Sequence, residues 1–256
     1  MNVITAWTLP LLALSASGEQ GPDKNSEPVV VAKFAAEPIK LDGRLDEGAW
    51  TKTPSYLLTL PRKAYSGLPE SMQRAIGENL REKCAVKLLW DDNYLYVGAE
   101  VEDSDVMNEG KEDQTHLYRT GDLLEVFLKP AKENYYWEIY GSANNKKTWL
   151  SFPSRGRGTA AVLAYLPETL KVAATVDGTL NNWQDRDKGW TVEIMIPIKE
   201  LTANGIKFDN STNWTVLIAR YNYSRYLPAA ELSSFPRLSN PNFHIYEEYA
   251  KLVLEK

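Results

Sequence analysis

The chain has 256 residues, of which 43% are hydrophobic and 25% charged, an ordinary globular composition. A net charge of -5 gives no basic footprint, so nucleic acid is excluded as an expected partner. Cys84 is the single cysteine, which excludes an intrachain disulfide, and with no His or second Cys in its motif it reads as a buried, inert thiol.

In chain order, residues 7–16 form a short apolar run ending in Ala13-Leu14-Ser15-Ala16. The run is too short to span a bilayer, and its small-residue end suits signal-peptide cleavage. Residues 1–16 are therefore read as a signal peptide, 17–28 as a polar linker and 29–256 as one folded domain, secreted or periplasmic.

Within that domain, strand patterns fall at 29–33, 84–90, 94–101, 123–128, 135–140, 148–152, 170–175, 190–196, 215–221 and 250–254. Turn residues separate them, most plainly Asp91-Asp92-Asn93, Asp177-Gly178 and Asp187-Lys188-Gly189. Helical periodicity is confined to 68–83 and one turn at 198–203. Many short strands without a βαβ pattern predict an all-β fold: an antiparallel β-sandwich of jelly-roll or immunoglobulin-like type with few short helices.

Alternation within the strands raises a question about charge. In 123–128, Leu124, Val126 and Leu128 point one way and Leu123, Glu125 and Phe127 the other. Glu138 shares a face with Tyr136 and Tyr140, Glu193 opposes Val192 and Ile194, and Arg220 lies in the last long strand. A charge inside a strand is exposed or paired. Three readings stand for Glu125, Glu138, Glu193 and Arg220: a solvated sheet face, a cross-strand ion network, or a ligand-binding face.

Four blocks then carry a resemblance. They are Ile39-Lys40-Leu41-Asp42-Gly43 through Asp46-Glu47-Gly48-Ala49-Trp50; the hairpin 88–101 with Glu102-Asp103-Ser104-Asp105; Gly121-Asp122-Leu123-Leu124-Glu125 with Gly189-Trp190-Thr191-Val192-Glu193; and the ending Asn242-Phe243-His244 to Tyr249-Ala250. In this order they resemble a family 9 carbohydrate-binding module, a β-sandwich related to the wider DOMON group. The resemblance covers residues 29–256 and implies non-catalytic recognition of polysaccharide or oligosaccharide ends, through an aromatic clamp and a polar strand face. Such a module needs no cofactor and serves beside separate glycan-degrading enzymes.

By motif position the clamp falls at Tyr118 and Phe243 and the polar glutamate at Glu125. Glu138 and Tyr140 stand where the family has Arg and Asn. With Arg220 from the charged strands and His244 beside the clamp, the expected ligand-binding set is Tyr118, Glu125, Glu138, Tyr140, Arg220, Phe243 and His244. Trp149 and Trp183 are alternative aromatic platforms. The resemblance also implies structural calcium, for which Asp103, Asp105 and Asp122 offer oxygen ligands, although no EF-hand spacing occurs. Two further readings remain open. A DOMON-type haem domain would draw axial ligands from Met107, Met195, His116 and His244. A glycoside hydrolase would pair carboxylates such as Glu125 and Glu193.

Overall fold

The computed structural model describes residues 27–157 and 160–256, so the expected signal peptide and most of the linker lie outside the described residues. All ten predicted strands form. They are β1 (Val29–Phe34), β3 (Cys84–Trp90), β4 (Tyr94–Glu102), β5 (Leu123–Pro130), β6 (Tyr136–Ser142), β7 (Lys147–Phe152), β8 (Lys171–Asp177), β9 (Gly189–Pro197), β10 (Trp214–Asn222) and β12 (Ala250–Glu255). Two more escape the pattern. β2 (Tyr56–Leu57) is only two residues long, and β11 (Glu231–Phe235) carries two serines in place of the β-branched residues that mark a strand. The helical pattern at 68–83 yields only α2 (Glu70–Ile76), because Gly77 takes φ +84° and returns its N–H to the Gln73 carbonyl at 3.0 Å. Two further short helices are α1 (Gly48–Lys52) and α3 (Ile198–Leu201).

The strands hydrogen-bond in the order β7-β6-β5-β10-β12-β1-β3-β4-β9-β8, with β11 beside β10 and β2 beside β3. The long sheet folds over on itself as a sandwich. Antiparallel pairing prevails, and β1 is the exception: it runs parallel to both β12 and β3, which makes the sheet mixed. One half is β7-β6-β5-β10, the other β3-β4-β9-β8, and β12 with β1 forms the seam between them.

The core follows from two-residue alternation. Leu124, Val126 and Leu128 of β5, Trp137 and Ile139 of β6, and Val216 and Ile218 of β10 point inward. They meet Val86 and Leu88 of β3, Val97 and Ala99 of β4, and Val192, Ile194 and Ile196 of β9. Cys84 is buried here and its thiol is pushed up to about 12 by that burial.

A segment of chain crosses the outer face of each half, although the β3-β4-β9-β8 face stays open to solvent at Glu100 and Asp177. Over β4 and β9 runs the segment 39–50, which buries Trp50 completely against Leu89 and Tyr96. Gly43 in this segment has φ +79°, and a Cβ there would stand 2.7 Å from the Ala174 carbonyl carbon. Only glycine fits so close to that backbone. The Glu193 carboxylate accepts the N–H groups of Asp42 (3.0 Å) and Gly43 (2.9 Å), so a glutamate on β9 fastens this strap to the sheet.

Candidate functional site

The outer face of the other half carries most of the predicted binding residues. Register sets the arrangement: Glu125 on β5 stands opposite Tyr140 on β6 and Ala219 on β10, and Phe127 stands opposite Glu138. Glu125, Glu138, Tyr140, Tyr136 and Tyr221 therefore share one face. A segment from residue 236 to 249 crosses it and buries Phe243 and Tyr249 against Phe127. That segment is held by the Tyr249 hydroxyl donating to the Phe243 carbonyl at 2.6 Å, and by Glu247 paired with Arg155, whose guanidinium lies 4.0 Å from the centre of the Tyr246 ring.

Beneath it the carboxyl pair is almost sealed from water, with Glu125 at 1% and Glu138 at 5% exposure. Two carboxylates so placed resist ionising together. Burial raises the Glu138 carboxyl to about 7 even though the Tyr140 hydroxyl donates a hydrogen bond to it. Glu125 is held well above the usual carboxylate range, first by burial and then by the neighbouring Glu138. His244 roofs the pair: its Nδ1 shares a 2.8 Å hydrogen bond with the Tyr136 hydroxyl, and its Nε2 lies 4.0 Å from Glu138 Oε2. Burial lowers the imidazole pKa and Arg155 lowers it further, favouring neutral His244.

Tyrosines lead from this polar centre toward solvent. Tyr118 stacks on Tyr221 at 5.5 Å with 28° between planes, and Tyr221 stacks on Tyr223 at 5.9 Å. Phe243 meets Tyr221 edge-on at 5.5 Å. Tyr118 and Phe243, the predicted clamp, are thus joined through Tyr221 rather than facing each other across an open gap. Tyr118 is half-buried and Tyr223 exposed, and the Tyr223 hydroxyl donates to the Tyr118 carbonyl at 2.8 Å. Arg119 lies over the Tyr118 ring at 5.4 Å. Tyr221 was not singled out from the sequence; alternation in 214–222 places it with Ala219, and only the register of β10 against β5 brings that face to Glu125.

The expected common face of four charges does not form. Arg220 follows Ala219 and so points to the opposite side, where it is fully buried. Its Nη2 pairs with Asp103 Oδ2 at 3.1 Å and its Nη1 donates to the Glu82 carbonyl at 2.9 Å, an interior ion pair. Glu193 lies on the outside of the far half.

The three aspartates proposed for calcium are likewise committed to protein donors. Asp103 also takes the Asp105 N–H and the Trp190 indole N–H; Asp105 takes the Arg225 N–H; Asp122 takes those of Met107 and Tyr223. Among the described residues no three His, Cys, Asp or Glu side chains are grouped to hold a metal ion. The donor set does not fit calcium, because both oxygens of Asp103 and of Asp122, and one of Asp105, already face N–H groups or a guanidinium.

A family profile described as "Carbohydrate family 9 binding domain-like" matches residues 41–214. The chain belongs to this family. Modules of family 9 are non-catalytic binding domains. A candidate carbohydrate-binding protein from Bacteroides uniformis ATCC 8492 superposes with a TM-score of 0.66 at 12% identity, covering 90% of this chain and 100% of that one. A family 9 module from Caldicellulosiruptor kristjanssonii, solved with cellotriose, gives 0.53 at 18% identity, covering 89% and 93%. The same organism's module solved with glucose gives 0.53 at 18%, covering 89% and 95%. At these identities the likeness establishes the fold. No curated protein sequence matches the chain.

The family 9 frame also bears on the other two readings. Glu125 and Glu193 point away from the core on opposite halves, and two packed sheets are about 10 Å apart before either side chain is added. They cannot flank one glycosidic bond. Met195 packs beside Trp50 on the Glu193 side while His244 covers Glu138, so these two cannot clamp one haem. Of the two tryptophan platforms, Trp149 is core at 1% exposure and Trp183 is 67% exposed.

Proposed function

We propose that this family 9 domain captures glycan chain ends without catalysis, at the row Tyr118, Tyr221 and Tyr223 beside the buried Glu125 and Glu138 pair. The observation that carries the reading is the continuity of that row. A pyranose has C–H faces that stack on aromatic rings and a hydroxyl rim that needs hydrogen-bonding groups. Tyr118 and Tyr223 offer ring faces near solvent, and Arg119 and the tyrosine hydroxyls add polar atoms beside them. Phe243 and the carboxyl pair shape the floor. Cellotriose and glucose, the ligands of the Caldicellulosiruptor modules, are the first probes. The apolar run 7–16 supports action outside the cytoplasm, alongside separate glycan-degrading enzymes.

Isothermal titration with cellotriose, glucose and xylotriose tests the proposal. Saturable binding is expected for at least one probe, weakened about tenfold by Tyr118→Ala, which corresponds to about 1.4 kcal/mol. Silence with every probe, or wild-type affinity in Tyr118→Ala, overturns it.

A further inference from the structure

A second aromatic surface begins two residues beyond Tyr223 in the chain. Trp183, in the connection between β8 and β9, is 67% exposed, whereas Trp50, Trp137, Trp149, Trp190 and Trp214 are buried. Tyr226, after β10, is 38% exposed. Here the two are bridged by arginine. The Arg225 guanidinium lies 5.5 Å from the Trp183 ring centre and 4.8 Å from that of Tyr226, and Arg186 lies 4.9 Å from Tyr226 on its own account.

The platform is preformed. Arg225 Nη1 donates to the Trp183 carbonyl, and the Tyr226 hydroxyl donates to the Asp185 carbonyl at 2.9 Å, so each strand connection holds the other. Two of the nearby acids are turned elsewhere, since Asp105 accepts the Arg225 backbone N–H at 3.0 Å and Asp187 accepts those of Val106 (2.7 Å) and Thr179 (2.7 Å), while the third, Asp185, keeps Oδ1 buried and without a hydrogen-bond partner. Among the described residues no carboxylate lies within salt-bridge distance of either guanidinium, so both keep free donors in a protein of net charge -5. Tyr223, two residues before Arg225, ties the platform to Tyr118.

We infer that Trp183, Tyr226, Arg225 and Arg186 form a second subsite, for a sugar ring bearing a carboxylate. The indole and phenol rings cover the C–H face, and the planar guanidinium forks match a carboxylate with two parallel N–H donors. The inference rests on the glycan-binding reading and adds its ligand class: an acidic oligosaccharide, of uronic acid type, with one ring on the tyrosine row and its acidic neighbour on the arginines.

Trp183 reports on the site directly. Trigalacturonate should shield a fraction of the tryptophan emission from acrylamide in a saturable way, cellotriose should not, and Trp183→Phe should remove the effect. Arg186→Gln combined with Arg225→Gln should weaken trigalacturonate at least tenfold while leaving the melting temperature within 2 °C and cellotriose binding intact, and raising the salt from 0.05 to 0.5 M should weaken it in the wild type alone. Trigalacturonate that leaves Trp183 unshielded, or binds the double variant unchanged, overturns the inference even where cellotriose still binds through Tyr118. Failure of every sugar overturns the glycan reading and this subsite together.

Discussion

Replacing Glu138 by glutamine isolates the cost of the sealed carboxyl pair. Glutamine keeps the shape of the side chain and an oxygen to accept the Tyr140 hydroxyl, and it removes the titrating proton. In the wild type the Glu138 carboxyl is raised from 4.5 to about 7 by burial. The folded form then keeps a proton that the unfolded chain releases, so the stability this group contributes is complete below pH 4.5 and is lost as pH climbs through 7. At about 1.4 kcal/mol per pKa unit, that loss is about 3 kcal/mol. Glu125, raised by burial and then by Glu138, is relieved in the same direction when its neighbour becomes neutral. Glu138→Gln is therefore expected to match the wild type at pH 4.5 and to exceed it by about 3 kcal/mol at pH 8. For a domain of this size that is a melting-point gain of roughly 6–12 °C. Urea unfolding of both proteins at pH 4.5, 6 and 8 measures the difference, in which the titration of distant groups cancels. A gap that does not widen with pH, or a variant weaker than the wild type at pH 8, refutes the reasoning.

Other changes probe the rest of the frame. Arg220→Met leaves Asp103 buried without its 3.1 Å partner and should cost about 3–5 kcal/mol in urea unfolding at pH 7. Gly43→Ala forces a Cβ to within 2.7 Å of the Ala174 backbone at a positive φ, and should lose roughly 1–3 kcal/mol by the same measurement. Cys84, with its thiol at about 12 and no solvent access, should stay unreacted with Ellman's reagent in the native protein and react within minutes in 6 M guanidinium. Because both oxygens of Asp103 and of Asp122 are occupied by protein donors, EDTA should leave the melting temperature within 1 °C in a thermal scan.

Much of the frame was legible because each inward strand residue repeats at a spacing of two, a signal that survives without any knowledge of partners. The hairpin of β3 and β4 shows it best, since Cys84, Val86 and Leu88 alternate cleanly with Ala85 and Lys87. Pairing is another matter. Nothing in 215–221 says that Arg220 faces the interior and Tyr221 the carboxyl pair; that depends on β10 lying against β5 with Ala219 beside Glu125. Glu193 looked like a member of the same charged face because a glutamate in a strand reads alike on either half. Its work is local: it receives two N–H groups of the strap that carries Trp50. Tyr118 and Phe243 were found by motif position, but the ring that joins them was not, because Tyr221 reaches them only through the folded register. Trp183 was visible as a tryptophan in a turn-rich stretch, and its exposure separates it from Trp149, which the sequence left equal to it.

The seam of the sandwich sets a timetable for folding. Among the described residues β1 is the first strand to leave the ribosome, and Val29 pairs with Lys251 of β12, the last of them. Hairpins such as β3–β4 and β5–β6 can close as soon as they are made, because their partners are neighbours in the chain. The β1–β12 seam cannot form until synthesis has reached residue 255, although the Thr59–Ser234 bridge can link the halves earlier. Until then β1 has one vacant edge and β10 is open at Thr215 and Val216, where β11 does not reach, in a chain already rich in formed sheet. Contacts this distant in sequence are slow to form, and unpaired strand edges invite association with other chains. Losing the last six strand residues would therefore do more than trim an edge: it would open the seam and leave the Thr59–Ser234 bridge as a backbone link between the halves.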